Sequence, residues 1–319
     1  MSSIRFDLRI AAMGGALVAL TGALPAAAAC LPTVATASSP RTAVPGTIQA
    51  QIICTTASGA QIQILSDTPS KAFSLSATSD DRAKLALAKG GDKAKLEVDD
   101  VTAPTKITKV DQVTRDVGWW PVTLAMAGTF VALLVVATLV TKGKPRNFVL
   151  GADRRYSNSQ CQLALWFTAV ATAYAAAVIL RLSALDWQFI GGVGVTNNVI
   201  ALTGLSALSF GGAKAITGQK VADAAATGQA VKIVAAKPNL LTDLVQNDNG
   251  QADIGDFQMI LISLVAVTIF LLASARFLMT MPVAAVITLP DVDTTLLSAF
   301  GLGQGAYLFK KAASAPGAG

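Results

Sequence analysis

Few residues in this chain could carry out chemistry, and the sequence does not bring them together. Histidine, the commonest general base and metal ligand, does not occur at all. The three cysteines are Cys30, Cys54 and Cys161. None of them has CxxC spacing, which argues against a structural zinc site. The sequence therefore predicts no catalytic residue, no metal site and no cofactor.

Carboxylates near the predicted membrane spans offer the only other candidate chemistry. They are Asp153, Asp248, Asp253 and Asp256. Capping of helix starts explains them, so we do not expect an enzyme. Residues 247–253 are similar to a calcium loop with a central glycine, but the first ligand position would fall on Val245, which has no ligand side chain. A turn before the next helix is the favoured interpretation.

The composition is typical of a membrane protein. Only 14% of the residues are charged and 53% are hydrophobic, and the charges cluster between long neutral runs. The net charge is +6, but the chain has no long run of basic residues. Lysines and arginines that flank membrane spans explain this charge, and no nucleic-acid partner is predicted.

The N-terminal third is predicted to be exported. Residues 1–29 have the basic, apolar and small-residue regions of a signal peptide, with an uncleaved first span as the alternative. Residues 30–116 alternate apolar and polar side chains, as at Ile48–Ile52, Ile62–Ile64 and Leu85–Leu87. About seven short strands of this kind predict an extracytoplasmic β-sandwich, immunoglobulin-like in shape.

A small exported domain would gain from a disulfide, and Cys30 and Cys54 could form it. Acylation of Cys30 is an alternative, and two unpaired thiols are another. Cys161, in a predicted span, is expected to fill space as a small apolar residue.

The remaining chain predicts an α-helical bundle of about five mature transmembrane helices. The predicted spans are 122–140, 162–182, 199–213, 257–278 and 295–309. The first belongs to residues 117–146, where Trp119 and Trp120 suit the outer interface and basic residues follow the span on the cytoplasmic side. Ser159 and Gln162 resemble a capping box, and Arg181 and Arg276 are expected to snorkel to the interface.

Two stretches of the helical part are similar, which predicts an internal repeat of like orientation. Residues 147–215 form repeat 1 and 244–312 form repeat 2, with a cytoplasmic loop at 216–243 and a tail at 313–319. Gly204-Leu205 corresponds to Gly301-Leu302, and Lys214 corresponds to Lys311. Both repeats then contain one helix that runs outward and one short helix that returns.

Small residues on the two returning helices are predicted to let helix backbones approach closely. They are Gly204, Ser206, Gly211, Gly212, Gly301, Gly303 and Gly305. Thr203, Ser209 and Gln304 are the only polar residues that could line a path through the membrane, and neutral side chains of this kind also bond between helices.

The motifs GADRRYSNSQCQLALWF and LPDVDTTLLSAFGLGQGAYLFKKA resemble those of a family of uncharacterised bacterial inner-membrane proteins. The similarity covers about residues 148–312. It implies paired transmembrane hairpins and implies no activity, and the β-domain has no counterpart in it.

Two functions remain as hypotheses. The first is a multi-pass inner-membrane scaffold or interaction subunit whose partners are the lipid bilayer and other subunits or itself. Its N-terminal domain would lie outside and its C-terminus in the cytoplasm. The alternative is a subunit of a channel or transporter built on the repeat. No small-molecule ligand follows from the sequence.

Overall fold

The computed structural model describes residues 30, 44–65, 72–151, 154–185, 192–227, 237–246 and 252–313. The predicted signal peptide and all but the first residue of the predicted tail lie outside this range. The chain forms two compact units, and two late segments of the chain belong to the first. Unit 1 comprises Met1–Pro121, Leu180–Ile190 and Met279–Ala285, and unit 2 comprises Val122–Ile179, Gly191–Leu278 and Val286–Gly319.

Unit 1 is built on an antiparallel sheet whose strands alternate buried and exposed side chains. Its elements are β1 Gly46–Thr56, β2 Gly59–Ile64, β3 Ala72–Ser76, α1 Ser79–Leu85, β4 Lys93–Val98, β5 Ile107–Asp116 and, far along the chain, β7 Thr280–Pro282. In β1, Ile48, Ala50 and Ile52 are buried while Gln49 is exposed, as the period of two predicts. The predicted β-domain is therefore confirmed at the level of its strands.

The predicted two-sheet sandwich is wrong, because the described strands of unit 1 form one sheet. Its order is β3-β2-β1-β4-β5-β7. The sheet curls until Ser76, at the end of β3, makes a parallel bridge to Lys106, immediately before β5. The long strand β1 pairs with both β2 and β4, and the helix α1 lies between β3 and β4 in the chain. This is the connectivity of an OB-fold.

The predicted strand around Leu85 is also wrong, since Ser79–Leu85 is the helix α1. Thr78 caps this helix by accepting a hydrogen bond from the Asp81 amide, and two aspartates occupy the first turn. Leu85 is the last residue of this seven-residue helix and is buried, as it would also be in a strand with one buried face.

Strand β7 follows directly after a long helix and extends the sheet at β5. Arg115 and Met281 are paired in this ladder. The Arg115 guanidinium binds both carboxylate oxygens of the buried Asp92, at 2.7 Å each, and also donates to the carbonyl of Ala184. One side chain thus joins the sheet to the C-terminal turn of the helix that ends at Leu185.

Arg181 is fully buried in the same region, so the predicted snorkelling is wrong for it. Its Nη2 donates to the carbonyls of Ala284 at 3.0 Å and Ala285 at 2.9 Å. Arg276, in contrast, is exposed.

Unit 2 is helical. Its long helices are α2 Trp119–Val140, α3 Asn158–Leu185, α4 Asn197–Thr227, α6 Ile254–Met279 and α7 Thr294–Ala313, of which α2, α3 and α6 also extend into unit 1. Short elements complete it, namely α5 Leu240–Asp243 and the parallel strands β6 Val193–Gly194 and β8 Ile287–Thr288. A single 3₁₀ turn, Pro145–Phe148, follows α2.

Four of the helices in the described residues are long and apolar enough to cross a membrane, where the sequence predicted five. They are α2, α3, the Asn197–Gln219 part of α4, and α6. The fifth predicted span forms the 20-residue helix α7, but glycines and polar residues lower its hydropathy. The prediction of a short third span is wrong, because α4 continues for 31 residues and extends into the predicted cytoplasmic loop.

The loops before α3 and α6 have the same hydrogen bonds at corresponding positions. The Ser157 amide donates to the Val149 carbonyl at 2.9 Å, and the Asp253 amide donates to the Val245 carbonyl at 2.8 Å. Each loop is also closed by an antiparallel bridge, Leu150 to Tyr156 in one and Gln246 to Ala252 in the other.

Candidate functional site

The core of unit 2 lies where α3, α6 and α7 pack together. Buried alanines line one face of α3, as at Ala169, Ala173 and Ala176. One turn from the start of α3 this apolar face is interrupted by Gln162, which is fully buried. The polar groups around Gln162 form the site, and we call them the amide cluster: Gln162, Gln304, Ser263 and the carbonyl of Met259.

The amide cluster links three helices through short hydrogen bonds. Gln162 Nε2 on α3 donates to the Met259 carbonyl at 2.9 Å and to Ser263 Oγ at 2.8 Å, both on α6. Gln304 Nε2 on α7 donates to Gln162 Oε1 at 2.5 Å. Ser263 Oγ also lies 2.9 Å from the Met259 carbonyl. A continuous chain of hydrogen bonds therefore runs from α7 through α3 to α6.

The chemistry of this cluster is that of neutral amides. Such groups neither titrate nor act as nucleophiles, and between membrane helices each hydrogen bond contributes about 0.6 to 2 kcal/mol. Gln304 Oε1 is buried and has no hydrogen-bond partner, so the amide cluster contains one unsatisfied acceptor. The arrangement can hold helices at a fixed register, and it contains no group suited to general acid–base catalysis.

An aromatic cluster lies one turn along α3 from Gln162. The fully buried Trp166 has its ring centroid 6.2 Å from those of Phe270 on α6 and Phe300 on α7, and the contact with Phe300 is edge-to-face. Aromatic pairs in this geometry contribute about 0.5 to 1.5 kcal/mol beyond their buried area. The same three helices are thus joined by polar contacts at one level and by ring contacts at the next.

The start of α3 is also tied to the start of α6. Asn158 Nδ2 donates to the Asp256 carbonyl at 3.0 Å. Asp243, in α5, accepts from the backbone amides of Tyr156 at 3.1 Å and Asn239 at 3.0 Å. These bonds fix the two loops that precede α3 and α6.

Charged residues near this end are engaged in ion pairs and caps. Lys310 on α7 binds the Asp253 carboxylate and lies 3.9 Å from that of Asp256. Burial raises the pKa of Asp253, but the hydrogen bonds from Lys310 and from the amides of Asp256 and Gly255 outweigh it, so its pKa lies below the ordinary value. Asp253 Oδ1 accepts those two amides at the start of α6, as the capping interpretation predicts.

The other predicted carboxylates, Asp153 and Asp248, lie outside the described residues, as does most of the loop compared above with a calcium site. In the described part of the chain, no three histidine, cysteine, aspartate or glutamate side chains are grouped so as to hold a metal.

Some of the predicted packing residues contact a neighbouring helix. A Cβ atom added at Gly212 would lie 3.2 Å from the side chain of Leu308 on α7, and one at Gly301 would lie 3.7 Å from Leu205 on α4. Ser206 is fully buried and bonds back to the Leu202 carbonyl of its own helix. These residues lie in or near the contact of α4 with α7.

The other four predicted packing glycines have open space beside them. A Cβ atom added at any of them would meet no atom within 4 Å, and they are Gly204, Gly211, Gly303 and Gly305. The chain therefore leaves part of both small-residue surfaces uncovered.

The predicted disulfide between Cys30 and Cys54 is present, with a Cα–Cα distance of 5.4 Å. This bond leaves no free thiol for acylation at Cys30. It holds Cys30 to β1 beside the bulge that follows Ile52. Cys161 is free and buried in α3, as expected of an apolar filler.

A buried carboxylate in unit 1 holds α1 to the sheet. Asp81 accepts from the Val110 amide at 3.0 Å and from the Thr78 hydroxyl at 2.8 Å. Burial raises the pKa of Asp81, but these hydrogen bonds and the nearby Lys84 outweigh it, so its pKa lies below the ordinary value.

The sequence pointed to part of the amide cluster and misjudged the rest. Gln304 was predicted either to line a path or to bond between helices, and it bonds between helices. Gln162 was predicted to cap α3, but α3 begins at Asn158 and the Gln162 side chain points to α6 and α7. Of the other candidate liners, Thr203 bonds to the Val199 carbonyl of its own helix and Ser209 is buried.

Comparison of this chain with protein-family models, with curated proteins and with solved structures found no match in any of the three.

Proposed function

We propose that this protein is a multi-pass inner-membrane scaffold or interaction subunit that presents its β-domain outside the cytoplasm. The observation that carries the proposal is the amide cluster, in which the buried polar groups of three helices bond mostly to one another. Buried groups that serve conduction usually include ionisable side chains facing a cavity. Here the cluster is neutral, and Gln304 holds α7 to α3.

The orientation of the proposed subunit is supported by residues at both ends of the helices. The Cys30–Cys54 disulfide suits an oxidising compartment, which supports a β-domain outside the cytoplasm. The stacked and exposed Trp119 and Trp120 suit the outer interface at the start of α2. Lys142 and Lys144, just beyond the other end of α2, suit the cytoplasmic side.

We include α7 as a fifth span of the proposed bundle. Its length of 20 residues is sufficient to cross the hydrocarbon core. Its most polar central side chain, Gln304, is buried against Gln162, so that this side chain does not face lipid. Packing of Gly212 against Leu308 supports a close α4–α7 contact.

We also propose that α3–α4 and α6–α7 are copies of one hairpin. The matching hydrogen bonds before α3 and α6 support this duplication. So do two corresponding cation–π contacts, Lys214 over Phe210 at 5.8 Å and Lys311 over Tyr307 at 5.7 Å.

The uncovered glycines give the proposed scaffold a surface for other subunits or for a second copy. Gly204 and Gly211 lie two turns apart on α4, and Gly305 lies on α7. In lipid, small residues at such spacing allow a second helix to approach closely.

Replacing Gly211 or Gly305 by leucine tests this surface in the full-length protein. We expect loss of assemblies in blue native gels and in native mass spectrometry from mild detergent, with unchanged helical content. Gly128→Leu on α2 is the matched control, because Gly128 also has open space beside it. A strictly monomeric wild-type protein that recovers no partner from native membranes would refute the scaffold proposal.

Labelling of cysteines introduced at Lys214 and Lys311 tests the repeat and the orientation. The expected result is protection of both positions from impermeant reagents added outside. Labelling of only one of the two would overturn the like-oriented hairpins.

A further inference from the structure

A groove of about 300 Å³ lies between α2, α3 and α6 in unit 2. It is lined by Ala127 and Phe130 of α2, by Leu165, Ala169 and Thr172 of α3, and by Leu271 of α6, among other residues. The three helices that form it are among those apolar enough to cross a membrane. In a membrane-spanning bundle, a groove at this level is open to the interior of the bilayer.

The groove lies beside the last buried residue of α2. The last buried residue of α2 is Thr129, whose hydroxyl lies 3.4 Å from the Thr172 carbonyl of α3. Beyond Thr129, no residue of α2 is buried. The α2 residues that line the groove are Met126, Ala127 and Phe130, which flank Thr129, and the inner half of α2 beyond them is exposed or half-buried.

The lining of the groove selects an apolar occupant. Apart from the hydroxyls of Thr168 and Thr172, its side chains are hydrocarbon, aromatic or thioether. Thr172 Oγ1 is buried without a hydrogen-bond partner, and no charged group borders the groove. A peptide or a polar metabolite placed here would leave its own polar groups unsatisfied, which costs several kcal/mol for each group in the bilayer core.

We infer that this groove binds one acyl chain of a membrane lipid. The chain enters from the bilayer alongside the exposed inner half of α2 and packs on Ala169 and Leu271. The inference is independent of the scaffold proposal, because it requires neither a partner subunit nor a second copy.

A filling substitution and its matched control test the site in the full-length protein. Ala127 and Ala132 are both exposed alanines of α2, but only Ala127 lines the groove. Protein extracted in polymer nanodiscs is transferred to detergent and delipidated stepwise, and native mass spectrometry with lipid fragmentation identifies what remains bound. We expect wild type and Ala132→Phe to retain a lipid after the other lipids have left, and Ala127→Phe to lose it severalfold more readily.

A substitution at the unpartnered hydroxyl distinguishes an acyl chain from a polar ligand. Thr172→Val keeps the shape of the side chain, so an acyl chain should be retained as in wild type. Loss of the bound molecule in Thr172→Val, or fragmentation that identifies a non-lipid, would overturn the inference. So would equal retention by Ala127→Phe and Ala132→Phe. Thermal melting of each variant verifies that the bundle is folded.

Discussion

Replacing Gln162 and Gln304 by leucine, singly and together, measures what the amide cluster contributes to the bundle. Gln304→Leu removes the 2.5 Å hydrogen bond to Gln162 and leaves Gln162 Oε1 as a buried acceptor without a partner. Gln162→Leu removes that bond and the two donations to α6, and it strands Gln304 Nε2. The double variant removes both amides and leaves neither of them stranded.

The expected change in the free energy of unfolding follows from the number of hydrogen bonds that each variant removes and of polar groups that it leaves unpaired. An interhelical hydrogen bond in a membrane bundle contributes about 0.6 to 2 kcal/mol, and a stranded buried polar group costs about 1 to 3 kcal/mol. Gln304→Leu also removes the unpartnered Gln304 Oε1, which offsets part of its cost. We therefore expect a loss of about 1 to 2 kcal/mol for Gln304→Leu and about 2 to 4 kcal/mol for Gln162→Leu. The double variant should lose about 1 to 2 kcal/mol less than the sum of the two.

The assay is reversible unfolding of the purified protein in mixed micelles, followed by circular dichroism and by the fluorescence of Trp166 in a background without the other tryptophans. Gln258→Leu is the matched control, because Gln258 occupies the corresponding position near the start of α6 and is exposed. It should change the free energy of unfolding by less than about 0.5 kcal/mol. Additive single losses, or a cost for Gln258→Leu equal to that for Gln162→Leu, would refute the reasoning.

Three further outcomes are expected. Because the pKa of Asp81 lies below its ordinary value, Asp81 stabilises the β-domain above its unfolded pKa, and this stabilisation is lost as the pH falls through its folded pKa. When unfolding is followed against pH, Asp81→Asn should lose less stability in acid than wild type. Equal acid transitions in the two proteins would contradict this expectation. Cys54→Ser should destabilise the β-domain by about 3 kcal/mol, since the disulfide closes a loop with a sequence separation of 24. Under reducing conditions the melting temperature of wild type should fall to that of the variant, whereas that of the variant should not change. Gly212→Leu should cost about 1 to 3 kcal/mol through its clash with Leu308, whereas Gly204→Leu in the monomeric protein should cost little, and denaturation of both variants compares them directly.

The strands of the β-domain were predictable because their signals are local. Alternation over Ile48–Ile52 and Ile62–Ile64 requires only neighbouring residues, and both segments are strands. Their arrangement was not predictable in this way. A strand and the seven-residue helix α1 would both bury Leu85, and the hydrogen bond that caps α1 at Thr78 favours the helix. The sixth strand comes from Thr280–Pro282, and the three residues show no strand pattern of their own.

The amide cluster shows the same division between local and distant information. Gln162 follows Ser159 at the spacing of a capping box, so local reasoning assigned it to its own helix. Its actual partners, Ser263 and Gln304, lie 101 and 142 residues further along the chain. The side chain turns inward because a glutamine buried in the bundle must bond to another helix, and the facing positions on α6 and α7 supply the partners.

The sequence by itself determined that this is a helical membrane protein with a strand-rich N-terminal domain, because hydropathy and periodicity are properties of consecutive residues. It also favoured a disulfide between Cys30 and Cys54, since residues 30–116 contain no other cysteine, and the structure contains this bond. Only the tertiary structure decided that the strands close toward an OB-fold, that Arg181 is buried, and that the amides of α3 and α7 meet. These features depend on which distant surfaces come into contact, and in lipid that choice rests on shape and on the few polar groups that must be paired.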